Sequence, residues 1–199
     1  MRIEIHYLPC LQAFHWLWNA EQLRFEVQEH FPKQTYRNRC RILGAQGTLE
    51  LIVPILHAGA KQKTLDVQLD NQQAWARTQQ RSIQACYGKS AYYEHLAPLF
   101  FEVYQKKHKF LVDLNLNFLE LIFQIFGKKL DYELTTEFEE PSVDEVYQHL
   151  RAKGPANPSY VWSSPAYQQC FGSSFVPNLS VLDLLMNQGP HGLAFARPC

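Results

Sequence analysis

Three arginines occupy every second position of Tyr36-Arg37-Asn38-Arg39-Cys40-Arg41, just before the hairpin-like run Ile42 to Ile55. In an extended strand alternate side chains leave the same face, so this spacing predicts a row of guanidiniums with Asn38, Cys40 and Ile42 facing the other way. Each planar fork takes a carboxylate or phosphate through paired hydrogen bonds, which makes the row a cradle for a phosphorylated or nucleotide-linked small molecule. The competing reading is structural. Residues 131 to 145 carry seven acids (Asp131, Glu133, Glu137, Glu139, Glu140, Asp144, Glu145) and no base, enough to neutralise the arginines as ion pairs. Nucleic acid is the least favoured partner, because 19 Lys+Arg balance 19 Asp+Glu and the isoelectric point is 7.1, without a broad basic surface.

Other familiar chemistries fail on spacing. Tyr87-Gly88-Lys89-Ser90 ends like a phosphate-binding P-loop, but the motif needs a glycine where Ile83 stands and a strand before it. Eight histidines (His6, His15, His30, His57, His95, His108, His149, His191) form no H-E-x-x-H and no close pair with a cysteine, so no metal site is expected. No cofactor motif occurs either. Five cysteines (Cys10, Cys40, Cys86, Cys170, Cys199), an odd number without C-x-x-C, read as reduced thiols. His6 and Cys10 flank the first turn and form the one nucleophile pairing on offer, but no glycine-framed elbow surrounds Cys10, which reads as a buried, inert thiol.

The elements that must hold these residues follow from periodicity. Ile3 and Ile5 alternate with polar neighbours up to Leu8-Pro9, predicting an opening strand over 2–7 and then a short helix through Trp16. Further strands are expected at Leu23 to Val27, Tyr36 to Leu43, Leu49 to Ile55, Leu65 to Leu69 and Tyr132 to Thr136, with Gly44-Ala45-Gln46-Gly47 as a hairpin loop. Helices are expected over Gln72 to Tyr87, from an Asp113 cap to Gly127, over Ser142 to Leu150, and over 180–188, where Ser180 and Asp183 have the spacing of a capping box. Lys153 to Pro158 is a loop whose prolines forbid helix. The 199 residues, 46% hydrophobic, suit one α/β domain spanning 1–199. Its mixed β-sheet comes mainly from the N-terminal third and is packed with helices from the middle and C-terminal parts. Phe110 to Phe126 contains Asp113, Asn115, Asn117, Glu120 and Gln124 and is too short for a membrane span. Glu4 stands where a secretory leader would be apolar, so a cytoplasmic protein with no membrane partner is expected.

Seven segments in this order resemble the WbqC-like family of bacterial proteins, particularly its short stand-alone members. They are Tyr7-Leu8-Pro9; Tyr36-Arg37-Asn38-Arg39; Val53-Pro54; Trp75 with Arg81-Ser82-Ile83; Tyr87-Gly88-Lys89-Ser90; Asp113-Leu114-Asn115; and Asn178-Leu179-Ser180-Val181-Leu182-Asp183-Leu184-Leu185. The resemblance spans nearly the whole chain. It implies a role in O-antigen-type surface-polysaccharide biosynthesis, such as modifying a sugar or transferring an acyl or aminoacyl group. Many relatives carry a Gln-Pro pair just after the first strand, where this chain has Ile5-His6-Tyr7.

The matched residues sort by type into a substrate-binding set. Arg37, Arg39, Arg81 and Lys89 are cations for phosphate, and Tyr7, Trp75 and Tyr87 are flat faces for a base or pyranose. Asn38, Ser82, Asp113 and Asn115 orient hydroxyls. Two function classes follow: a binder or transferase of a phosphorylated or nucleotide-linked sugar or acyl donor, or a non-catalytic partner of a glycan-assembly enzyme that docks through helix 180–188 or through exposed aromatics. No residue is singled out as catalytic, Asp113 and Asp183 both being accounted for as helix caps.

Overall fold

The computed structural model describes residues 1–56, 61–140 and 163–196. The helix expected at 142–150 and the loop at 153–158 lie outside these residues. The opening alternation becomes β1 (Arg2–Glu4), and the Leu23 run becomes β2 (Leu23–Glu26). They pair in parallel with Ile3 opposite Phe25. Parallel neighbours need a crossover, and α1 (Leu11–Asn19) supplies it. β5 (Tyr132–Leu134) completes this sheet on the other side of β2, with Leu134 opposite Phe25.

β3 (Arg39–Gly44) and β4 (Gly47–Ile52) form an antiparallel hairpin in a second sheet. Gly44 pairs with Gly47, leaving Ala45-Gln46 as a two-residue turn. The +104° φ of Gly47 is a conformation that a Cβ disfavours. The α/β architecture and both strand directions are as expected, with the two directions divided between two sheets. β3 starts at Arg39, later than the expected Tyr36: the Asn38 carbonyl still takes the Val53 N–H in hairpin register, but the Tyr36 carbonyl turns instead to the Tyr7 N–H.

Leu65 to Leu69 is not a strand. Thr64–Asp66 is a 3-10 turn and Leu65 is exposed, while the segment meets different neighbours at single bridges, Ile55 with Leu69 and Gln68 with Phe110. A period of two thus arises without a ladder. α2 (Trp75–Tyr87) begins after a turn in which Asp70 accepts from the Gln72 and Gln73 backbones, which displaces the expected start at Gln72. α3 (Tyr93–Gln105) is unforeseen, and Pro98 inside it removes one helical donor. α4 (Leu111–Ile125) starts before Asp113, so Asp113 is an exposed first-turn residue rather than the cap.

α5 (Val181–Gln188) is capped by Ser180, whose Oγ accepts from the Leu182 N–H, and it runs into a 3-10 stretch, Gly189–Ala196. Gly189 has φ +60°, and a Cβ there would lie 2.4 Å from the Tyr92 ring, so only glycine fits. One apolar cluster joins Ile3 and Phe25 of the parallel sheet, Ile42 of the hairpin, Phe14, Tyr87, Phe100 and Phe118 of the helices, and Leu184 of α5. Val181 to Met186 are buried in it, which removes α5 as a docking face. Among the described residues no helix is long and apolar enough to cross a membrane.

Candidate functional site

α2 ends at Tyr87, and the turn Gly88-Lys89-Ser90 carries the chain on to α3. The Ser90 hydroxyl and N–H both donate to the Tyr87 carbonyl, at 2.7 and 2.8 Å, which fixes the turn and leaves Lys89 exposed. Segment 168–171 and the end of α5 stand opposite. Between them lies a cavity of about 840 Å³ lined by Gln84, Gln168, Gln169, Asn187 and Gln188, the thiols of Cys86 and Cys170, and Lys89 with Ser90. Gln84, Gln168 and Gln188 line it with amide groups that can donate and accept, a lining suited to a hydroxyl-rich ligand. Gln169 is taken up by Asp183 and Val176, and Asn187 pairs with the Asp183 carbonyl and the Cys170 thiol. Arg81 is exposed on the α2 stripe shared by Gln84, Ala85 and Gly88, one turn before the cavity.

Asp183 lies beneath this cavity, fully buried. Its carboxylate accepts from the hydroxyls of Tyr87 and Tyr167, each at 2.7 Å, and from the Gln169 amide at 3.0 Å. Its side chain therefore does not complete a capping box, since the Ser180 N–H goes to the Arg41 carbonyl instead. Burial raises the Asp183 carboxyl above its ordinary value, against the three hydrogen bonds that favour the charged form. Burial, reinforced by the charge of Asp183, likewise holds the Tyr87 and Tyr167 hydroxyls above theirs. Gln169 is locked by its contact with Asp183 and by both directions of pairing with the Val176 backbone, so the wall it forms is rigid.

The arginine row is built into the protein. The Arg37 guanidinium, 3% exposed, lies 2.6 Å from Glu29 and 3.0 Å from Glu4. Arg39 pairs with Glu50 at 3.2 Å across the hairpin, and Arg41 donates to the Tyr36 hydroxyl at 2.7 Å. The Asn38 amide donates to the Val53 carbonyl and the Asn115 amide to the Arg37 carbonyl. The acidic tract neutralises other arginines, Glu139 pairing with Arg2 and Glu133 with Arg24.

The remaining predicted residues fall elsewhere. The Tyr7 hydroxyl is buried against Tyr104 and Gln79, and the Ser82 hydroxyl donates back to the Thr78 carbonyl within α2. Trp75 stands at the opposite end of α2 from Tyr87, about 18 Å away for twelve residues at the helical rise, too far to share a ring-sized ligand. Of the predicted residues Lys89 alone lines the cavity, with Arg81 one turn away on α2 and Tyr87 buried against Asp183, while Arg37, Asn38, Arg39 and Asn115 form an interior polar network.

Sequence reasoning did not single out the amides or Asp183. The amides carry no motif, but an aspartate inside Val181-Leu182-Asp183-Leu184-Leu185-Met186 is a detectable signal, since apolar neighbours on every side force its carboxylate into the interior.

The His6 and Cys10 pairing is not a nucleophilic site. The His6 Nε2 sits 2.8 Å from Glu4, and burial raises the Cys10 thiol to about 11 despite the nearby Arg41. At pH 7.5 only about one thiol in three thousand is then ionised. Native protein is expected to leave Cys10 unlabelled by a thiol-specific disulfide reagent until denaturant is added, as mass mapping of the labelled peptides will read. Among the described residues no three His, Cys, Asp or Glu side chains group to hold a metal.

Comparison with known proteins supplies the lineage. The uncharacterized protein Rv1507c of Mycobacterium tuberculosis is 25% identical over 224 residues, spanning 99% of this chain and 96% of that protein. No solved structure matches the chain at a significant level. The WbqC-like protein family matches residues 5–157 and 156–194, nearly the whole length, and the chain therefore belongs to that family.

Proposed function

We propose that this protein binds a phosphorylated or nucleotide-linked sugar, or an acyl donor of the same charge, in the cavity between α2 and α5. The setting is O-antigen-type surface-polysaccharide biosynthesis in the cytoplasm. The observation that carries this reading is the lining of the cavity: the amides of Gln84, Gln168 and Gln188 for sugar hydroxyls, with Lys89 in its wall for phosphate. The open amides of Gln84, Gln168 and Gln188 discriminate hydroxyls, because a ligand lacking one leaves a polar group of the wall unpaired. The Cys86 and Cys170 thiols are both raised by burial and then by Asp183, so neither is an activated nucleophile. The part played is accordingly one of binding and orienting a donor, and any group transfer draws its nucleophile from the acceptor.

A thermal-shift screen tests the reading, with nucleotide sugars, coenzyme A thioesters, free nucleotides and phosphate against wild type and Lys89→Ala. A nucleotide sugar is expected to raise the melting temperature, and Lys89→Ala to weaken its binding about tenfold through loss of one charge-assisted contact. No response to any of these ligands contradicts the proposal.

A further inference from the structure

The other end of α2 borders a second groove of different chemistry. The first turn of α2, Ala74 to Arg77, faces Lys106, Lys107 and His108 just beyond α3 across a cavity of about 380 Å³. Trp75 lines it, held edge-on against Tyr104 with ring centroids 5.9 Å apart. Arg77, Lys106 and Lys107 form no ion pair among the described residues, although Lys106 donates to Asn117. The His108 Nε2 is buried there without a hydrogen-bond partner.

α2 itself adds to this field. It opens on Ala74 with no side-chain cap and no acid in its first turn, so its leading N–H groups and the positive end of its dipole meet the groove. Two carboxylates stand nearby. Asp70 is engaged by Gln72 and Gln73, and Asp113 acts on His108. Three cations without an ion pair, an uncapped helix start and an indole together fit one ligand class.

We propose that this groove is a second site, distinct from the cavity at the other end of α2, and that it takes a nucleoside phosphate. The phosphates sit on the start of α2 between Arg77, Lys106 and Lys107, and the base packs against Trp75. Neither Arg77 nor Lys107 supports the core, both being exposed.

Calorimetric titration of the full chain with ADP, pyrophosphate and adenosine tests this, using wild type, Arg77→Ala/Lys107→Ala, Trp75→Leu and Lys89→Ala. ADP is expected to bind wild type and Lys89→Ala alike, to bind the double variant at least tenfold more weakly at an unchanged melting temperature, and to lose affinity in Trp75→Leu. Absence of ADP binding to wild type, binding unaffected by the double variant, or a loss equally large in Lys89→Ala overturns the site. Pyrophosphate binding as tightly as ADP and indifferent to Trp75→Leu overturns the nucleoside assignment.

Discussion

Asp183→Ala is expected to lower the folding free energy by about 4 kcal/mol in urea denaturation at neutral pH. The Tyr87 and Tyr167 hydroxyls and the Gln169 amide all end on this one buried carboxylate. Removing it orphans three donors at once, and each unsatisfied buried group costs on the order of 1–3 kcal/mol. Tyr167→Phe removes one donor and leaves the carboxylate two, at an expected cost of about 1 kcal/mol, and Tyr87→Phe is expected to cost more because its hydroxyl also accepts from the Leu43 N–H. The Asp183→Ala/Tyr87→Phe pair is expected to be less harmful than the sum, since the second change removes a donor the first has stranded. A stability for Asp183→Ala within error of wild type contradicts the structural role assigned here. The effect extends to the cavity proposed to bind the donor, because Tyr87 precedes the Lys89 turn and Gln169 is part of the cavity wall.

Arg37→Ala is expected to be nearly as damaging, at about 3–5 kcal/mol, because it leaves two carboxylates in the interior without their cation. The pH dependence gives the sign. In the native protein burial raises Glu4, but the His6 and Arg37 contacts outweigh it and set its pKa below the ordinary 4.5. The stability Glu4 contributes is therefore present above about pH 4.5 and is lost as pH falls through the folded value. Glu29 is the opposite case, because burial outweighs the pull of Arg37 and its pKa lies above 4.5, so its contribution is lost as pH rises through the folded value.

Without Arg37, Glu29 keeps its burial and the repulsion of Glu4 and Glu26 and loses its two favourable contacts. Arg37→Ala is therefore expected to gain stability more steeply than wild type as pH falls from 7 toward 5, since the Glu29 carboxyl is held higher once Arg37 is gone. Urea midpoints at both pH values read this. A pH-independent deficit contradicts the ion-pair account, and an Arg37→Ala protein as stable as wild type returns the arginine to the role of a free anion contact.

The comparison of sequence with structure turns on where each signal comes from. β1, β2, the β3–β4 hairpin and the end of α2 were legible because local alternation, a Gly-framed turn and a terminal glycine are local facts. α3 was not, since Pro98 argues against helix from within it, and packing of Phe100, Val103 and Tyr104 into the core overrides that preference. The arginine row was legible as a row of like charges, and the hairpin register brings Glu50 near Arg39, but Glu4 and Glu29 belong to separate elements that no spacing rule links to Arg37. Asp183 satisfied a capping pattern on paper, whereas burial of α5 sent its carboxylate to Tyr87 and Tyr167. The cavity joins residues 84–91 to 168–171 and 187–188, a meeting that only tertiary structure creates.

The most direct test of the donor-binding proposal is two-dimensional proton–nitrogen NMR of the side-chain amides during titration with a nucleotide sugar. The account predicts that the Gln84, Gln168 and Gln188 amide signals shift together and saturate, and that Lys89→Ala weakens the same titration about tenfold. Amide signals that stay fixed while the nucleotide sugar binds elsewhere, or that do not respond to any nucleotide sugar, would contradict it.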